Sequence, residues 1–413
     1  MSAPAADPWF QTLFADRIGG ANYGKGTEIY KFEKIKRAKR KALAEHPERK
    51  LLDFGIGEND DMAAESVRGA LAKEANKVDN RGYADNGIQN YKDAAAEFMR
   101  RQFGVALDPV TEVCHCIGSK PAYAMLPAVF INPGDVTLMT VPGYPVAGTW
   151  TRYLGGEVVR LPLLEQNGFY PDLDGLSDDV KRRAKLLVVN YPNSPTGAVA
   201  TKDFYKRVIE FAHKHKVVIV QDAAHILLSY RGDPLSFLQV DGAKEVGVEV
   251  HSMSKGFNMI GWRLGFVCGN SKIVQAYADV KDNSDSGQFM AIQHAAAQAL
   301  RTPEIPVQIR AKYKRRLDKL VAALKQVGFR CETPGGTYFL YTNAPKAAGD
   351  LTFANAEAAS QYLIHEQSVC CVPWDDAGAF LRFSVTYIAQ TEAEEDSLMA
   401  ETVARLKGMN LKF

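Results

Sequence analysis

Short, unbroken apolar runs rich in Val, Ile and Leu constrain this chain most. Lys216-Val217-Val218-Ile219-Val220-Gln221-Asp222 and Lys185-Leu186-Leu187-Val188-Val189-Asn190 are two of them. A strand apolar at every position is covered on both faces, as in a parallel sheet sandwiched between helices. From residue 112 onward the spacing predicts strands at 113–117, 136–141, 157–162, 186–190, 217–221, 248–251 and 265–269. Helical segments lie between them, including one over 202–215. This alternation argues for α/β architecture with a mostly parallel sheet flanked by helices. Such sheets bind ligands at the carboxyl ends of their strands, and Asp222 closes one.

Three further stretches carry chemistry. In His251-Ser252-Met253-Ser254-Lys255-Gly256-Phe257, a Gly-rich tail of mixed polarity places Lys255 on a turn rather than mid-helix. Ser252 and Ser254 precede it and Arg263 follows, a grouping that suits a lysine forming a Schiff base while its neighbours hold an anion. Alone, Ser-x-Ser-Lys is weak, because most lysines are solvated surface groups. Ile117-Gly118-Ser119-Lys120-Pro121 reads as a strand opening into a helix, whose free backbone N–H groups suit a phosphate. Pro127 inside that helix should kink it. The third stretch, Asn190-Tyr191-Pro192-Asn193-Ser194-Pro195-Thr196-Gly197, is a strand end running into a rigid turn.

Together these motifs resemble the pyridoxal-phosphate aminotransferases of fold type I, in the class I/II group, in order and approximate spacing over nearly the whole chain. The likeness is nearest to the LL-diaminopimelate aminotransferases, through Gly19-Gly20-Ala21-Asn22-Tyr23-Gly24-Lys25, Ile29 to Ile35, Phe54-Gly55-Ile56-Gly57-Glu58, Gly82-Tyr83-Ala84-Asp85-Asn86-Gly87 and Val372-Pro373-Trp374-Asp375-Asp376-Ala377-Gly378. The resemblance implies pyridoxal 5'-phosphate as cofactor. It implies Lys255 as the catalytic lysine and Asp222 as the partner of the cofactor's protonated pyridine nitrogen; a helix N-cap is the plainer reading of Asp222. Ser119, Lys120, Ser252, Ser254 and Arg263 would hold the phosphate, and Tyr144 would stack on the ring. Ser194 and His225 lie where relatives contact the phenolic oxygen, and Asn193, one residue before Ser194, is counted with them as cofactor-binding. Arg382 matches the arginine that takes the substrate α-carboxylate. Tyr30, Gly57, Gln89, Lys120 and Tyr144 fall at other substrate-pocket positions. Tyr83 resembles a residue given across a dimer interface, which implies at least a homodimer.

Two departures stand out. Relatives usually carry Asn before Pro-Thr-Gly, where this chain has Ser194, and Tyr three residues after the aspartate, where it has His225. Both can still hydrogen-bond a phenolic oxygen. Gln89 stands where relatives have Glu. Dicarboxylate-specific relatives often use a second arginine for the distal carboxylate. Residues 281–288 hold no arginine but do offer acids, amides and hydroxyls, a wall better suited to a distal group bearing ammonium and carboxylate together.

Composition fits this reading. At 413 residues two domains are the default. Residues 55–288 are expected to form a large cofactor-binding domain. Residues 1–54 (an arm with little periodicity, then part of the second unit) and 289–413 (long helices, then α/β) would supply a smaller α/β domain. The net charge of +2 gives no global argument for nucleic acid or membrane. The basic helix expected at 33–45 reads as a solvated face. Six scattered cysteines fit a reducing cytoplasm, and Cys114-His115-Cys116 alternates as a strand rather than a metal site. No apolar leader or membrane span is expected. The expected activity is amino transfer between LL-2,6-diaminopimelate and 2-oxoglutarate, within lysine and cell-wall precursor biosynthesis. The alternatives are an aspartate or broad-range aminotransferase, another enzyme type on the same fold, and a non-enzymatic pyridoxal-phosphate-binding regulator. The short segment before Asp53 leaves no room for the DNA-binding domain such regulators carry.

Overall fold

The computed structural model describes residues 8–25 and 31–413. Its main sheet has seven strands: Val113–Cys116 (β1), Val136–Val141 (β2), Glu157–Pro162 (β3), Ala184–Asn190 (β4), Val218–Asp222 (β5), Gly247–Ser252 (β6) and Gly265–Gly269 (β7). Their spatial order is β1-β7-β6-β5-β4-β2-β3. The five strands from β6 to β3 pair in parallel, and β7 runs against both of its neighbours. The mostly parallel sheet expected from the apolar runs is present. β7 is reversed because the 253–264 connection holds short helical turns instead of a crossover helix.

Successive side chains of one strand enter opposite apolar layers. Leu187 and Val189 of β4 and Ile219 of β5 join the layer on one face; Leu186, Val188 and Val220 join the other. Full burial of such a side chain contributes about 1.5–3 kcal/mol before entropy is counted. The registers align Asn190 with Asp222 and Asp222 with Val250, so the carboxyl ends of β4, β5 and β6 form one edge.

Helices that matter for the site include Lys31–Glu45 (α1), Gln89–Phe103 (α2), Ser119–Phe130 (α3), Ser271–Asp282 (α4), Glu304–Lys325 (α5) and Glu392–Lys407 (α6). Pro127 lies inside α3. Basic side chains of α1 meet acids of the same chain: Lys34 with Glu357 at 2.7 Å, Lys31 with Asp376 at 3.4 Å, and Lys39 with Asp53. The N- and C-terminal parts of the chain meet where Leu52–Asp53 pairs in parallel with Val369–Cys370. Beside them Phe339–Asn343 (β8), Val372–Trp374 (β9) and Phe380–Ser384 (β10) form an antiparallel sheet in the order β9-β10-β8.

A buried ionic network fixes the segment after Gly57. Arg316 of α5 is fully buried and donates to Asp60 at 3.0 Å, to Glu395 of α6 at 2.7 Å, and to the carbonyls of Val385, Tyr387 and Ala389. Burial alone would raise the Glu395 pKa, but hydrogen bonds from Arg315 and Arg316 outweigh it and hold the group at about 2. All six cysteines are buried and free, and His115 of β1 turns to Gln288. Among the described residues no helix is long and apolar enough to cross a membrane.

Candidate active site

Lys255 lies in one helical turn, Met253–Gly256, that starts where β6 ends; the Ser252 hydroxyl caps it by accepting from Ser254 N at 3.2 Å. Lys255 Nζ donates to the Gly57 carbonyl at 3.0 Å, and the buried Tyr338 hydroxyl donates to the same oxygen at 2.8 Å. Asn59 donates in turn to the Lys255 carbonyl at 2.9 Å, so residues 57–59 grip the lysine at both ends. Burial lowers the lysine pKa to about 8; Glu58 opposes this, while Arg263 and Arg382 reinforce it.

Asp222 closes β5 and is buried, with Oδ1 accepting from Ala224 N at 3.0 Å. Burial raises its carboxyl to about 6, against the opposing effects of Ala224 N–H, the neighbouring Tyr123 hydroxyl, His251 and Lys255. Across the register, Asn190 donates to the Asp222 carbonyl at 3.1 Å and accepts from Ser194 N at 2.8 Å. Asn190, Asp222, Tyr123, Thr140 and Tyr144 line one small cavity, where Tyr144 stands 44% exposed and edge-on to Tyr123 at 6.3 Å. Asn193 is committed elsewhere: buried, it accepts from Thr196 Oγ1 at 2.7 Å and holds the turn together. Ser194 is half-buried.

Arg263 has φ +56°, a left-handed conformation costing a non-glycine residue of order 1 kcal/mol. Its guanidinium donates to the Ile260 carbonyl at 2.9 Å and lies against Gly118. A Cβ on Gly118 would strike that guanidinium, and its φ of +75° also favours glycine. Gly118 leads straight into Ser119 and Lys120, the first residues of α3, whose first-turn N–H groups lack helical acceptors. A guanidinium beside a helix N-terminus, with Ser252 and Ser254 on the adjoining turn, is a cradle for a dianion.

Arg382, on β10, is buried against the Phe339 ring, 4.2 Å from its centroid, and donates to the Gly55 carbonyl at 3.1 Å. Its Nε has no hydrogen-bond partner and no carboxylate pairs with it among the described residues. Burial lowers its pKa to about 10. A buried cation without a counter-charge is costly, and a bound anion would offset that cost. His225 is buried edge-on to Tyr338, with Nδ1 unpartnered among the described residues. Burial lowers it to about 3, aided by Lys255 and Arg382, so it is neutral at working pH.

The other expected residues lie at the margin. Gln89 is exposed at the start of α2 and donates to Asp93 at 2.7 Å; Lys120 is exposed; Tyr83 is 83% exposed. Tyr30 lies outside the described residues. The 281–288 stretch is folded onto its own chain. Lys281, fully buried, binds Asp285 at 2.6 Å and the Asp85 carbonyl, and Asp282 accepts from Asn86 at 2.7 Å. Sequence reasoning passed over Asn190, Asn59, Tyr123 and Tyr338. Only Asn190 left a signal, as the polar end of an apolar strand aligned with Asp222.

Comparison with known proteins identifies the family. The family model for aminotransferase class I and II matches residues 49–401. LL-diaminopimelate aminotransferase from Methanocaldococcus jannaschii is 54% identical, over 98% of this chain and 100% of its own length. The enzyme of that name from Methanococcus maripaludis is 53% identical over the same shares. Among solved structures, substrate-bound BacF from Bacillus subtilis superposes with TM-score 0.85 at 31% identity, covering 94% of this chain and 97% of that one. An aspartate aminotransferase double mutant from Thermus thermophilus gives TM-score 0.82 at 26% identity, covering 95% and 99%. Aminotransferases of this family are in general pyridoxal-phosphate-dependent. A match over most of its length, on a fold shared with solved members, makes this chain a member of the class I and II aminotransferases.

Proposed function

We propose that the chain moves an amino group between LL-2,6-diaminopimelate and 2-oxoglutarate, with tetrahydrodipicolinate and glutamate as products, and that it holds pyridoxal 5'-phosphate to do so. This places it in the biosynthesis of lysine and cell-wall precursor. One observation carries the reading: Asp222, Arg263 and Arg382 all lie near enough to act on the Lys255 amine, in a chain whose near-full-length relatives bear the name of that activity.

The residues fit the cofactor. Arg382 is a buried cation lacking a counter-charge, Asp222 a buried acid at a strand end, and Gly118 leaves the space that the Arg263 guanidinium fills. Pyridoxal phosphate, when bound, supplies an aldehyde that accepts the amino group and a ring that absorbs the electron pair left on the substrate Cα. Asp222 would lose its proton and serve as a buried carboxylate facing a ring cation. Arg263, the N–H groups of Ser119 and Lys120, and the hydroxyls of Ser252 and Ser254 would bind the phosphate. Tyr144 would cover one ring face; Asn190, Ser194 and His225 would serve the phenolic side, with Asn193 holding the turn that carries Ser194. Lys255, with its lowered pKa, is a free amine in a useful fraction near neutral pH and would take the proton from the substrate Cα. Arg382 would bind the α-carboxylate through a paired contact that lysine could not reproduce. Tyr30, Gly57, Gln89 and Lys120 would meet the rest of the substrate.

We take residues 55–288 as the cofactor-binding unit, completed by a second unit from 1–54 and 289–413. Exposure of Tyr83 together with Trp9, Phe10 and Leu13 supports a homodimer in which Tyr83 serves the neighbouring site. A reducing cytoplasm suits six unpaired thiols. The test is a half-reaction. Purified protein carrying pyridoxal phosphate is mixed separately with LL-diaminopimelate, meso-diaminopimelate, aspartate and glutamate, and loss of the yellow absorbance is followed. Loss with LL-diaminopimelate and glutamate alone supports the reading; strong loss with aspartate would replace it with a broad-range aminotransferase.

A further inference from the structure

Arg263 is held in its left-handed conformation from outside its own loop. The Gln288 side-chain amide donates to both the Trp262 carbonyl, at 2.7 Å, and the Arg263 carbonyl, at 2.8 Å. With both donor contacts on backbone oxygens, the Gln288 Oε1 is left as an acceptor, and His115 Nε2 lies 3.1 Å from it. His115 is fully buried on β1; burial depresses its pKa to about 4, so the ring is neutral and the proton on Nε2 points to Gln288. Nδ1 of the same ring, an acceptor in that tautomer, has no partner among the described residues. Gln288 is itself pinned: Gln293 donates to its carbonyl at 2.8 Å and accepts from Ile88 N at 2.9 Å.

We propose that Gln288, oriented by His115, is a positioning residue for cofactor binding: it locks the backbone of Arg263 so that its guanidinium stays over Gly118, at the mouth of α3. Two carbonyls drawn to one amide fix the peptide plane on each side of the strained residue. Without the amide the loop relaxes toward ordinary φ, and the guanidinium swings off the phosphate position. Gln288 touches no substrate atom in this account; it acts through Arg263. The inference rests on Arg263 binding the phosphate, and the test separates the two claims.

The full-length protein, freed of cofactor, is titrated with pyridoxal phosphate and with pyridoxal, which has no phosphate. Gln288→Leu removes both donors. Gln288→Glu keeps the acceptor for His115 but sets a carboxylate against the two carbonyls. Each variant should bind pyridoxal phosphate about tenfold more weakly, while pyridoxal affinity stays within about twofold. The phosphorus resonance of the bound cofactor should shift and broaden. In an Arg263→Lys background, Gln288→Leu should add little, because both act on one contact. Equal losses for the two ligands, or full additivity with Arg263→Lys, would overturn the positioning role. Undiminished discrimination in Arg263→Lys itself would instead remove Arg263 from the phosphate site.

Discussion

The two ends of the cleft are built differently. At the floor, Asp222, Asn190 and the Lys255 turn hang from the carboxyl edges of β4, β5 and β6, and each is fixed by backbone hydrogen bonds. At the mouth, Gln89 and Lys120 are exposed, Tyr83 projects outward, and the Gln89 amide donates to Asp93, one turn along the same helix. Arg382 belongs to neither pattern: it is as buried as the floor and donates to Gly55, yet no carboxylate among the described residues pairs with its charge. The difference teaches that, on the proposed function, a sheet edge fixed by hydrogen bonds would carry the reaction, while substrate choice would fall to exposed side chains with few partners of their own. Rigid groups lose little entropy on binding; mobile ones lose more and adapt more easily.

The sharpest way to break this contrast is at Lys255. Lys255→Ala should slow single-turnover amino transfer by about four orders of magnitude or more. A loss under tenfold would mean that the floor does not carry the reaction. Arg382→Lys comes next, with kcat/KM for glutamate falling about two to three orders while cofactor affinity is kept. A matching fall in cofactor affinity would merge the two ends into one unit. Third, in cofactor-free protein the Lys255 amine should react with an acylating reagent along a pH curve centred near 8, where an ordinary lysine lies near about 10.4. Peptide mapping of the labelled site checks it.

Asp222 yields a prediction whose sign follows from its raised pKa. The folded chain holds that proton more tightly than the unfolded one. The contribution is therefore fully present below about pH 4 and is lost as pH rises through about 6. Urea midpoints of cofactor-free protein across that window should be flatter in Asp222→Asn than in the parent. The smallest effect is expected at the mouth. Gln89→Glu should change kcat/KM for glutamate by no more than about threefold, since an exposed charge is well screened. A larger change would show the mouth to be more ordered than its exposure implies.

Much of the floor was legible in the linear chain because its residues end strands, and strands written in Val and Ile announce both their burial and their ends. Lys255, Asp222 and Arg263 were singled out on those grounds and by family likeness. Asn190 went unmarked although its run was read, because the Pro-rich turn after it drew attention to Asn193, which the structure turns inward to Thr196. Tyr338, Asn59 and Gln288 had no local signal at all. Tyr338 meets Gly57 from 281 positions away in the chain, and Gln288 meets Arg263 from 25. Such contacts exist only once the sheet has brought distant loops together. The reversed β7 is of the same kind: an apolar run states that a strand is covered, not which way it points.

Lys255, Arg263 and Arg382 place three basic groups around one cleft, and Lys255 senses both arginines. On the proposed function, the cofactor-free chain would behave as a small anion exchanger: sulfate, phosphate or chloride from a buffer would occupy the arginines, raise the melting temperature by mass action, and compete with both cofactor and amino acid. Apparent dissociation constants will then vary with which anion is in the tube, beyond what ionic strength alone accounts for.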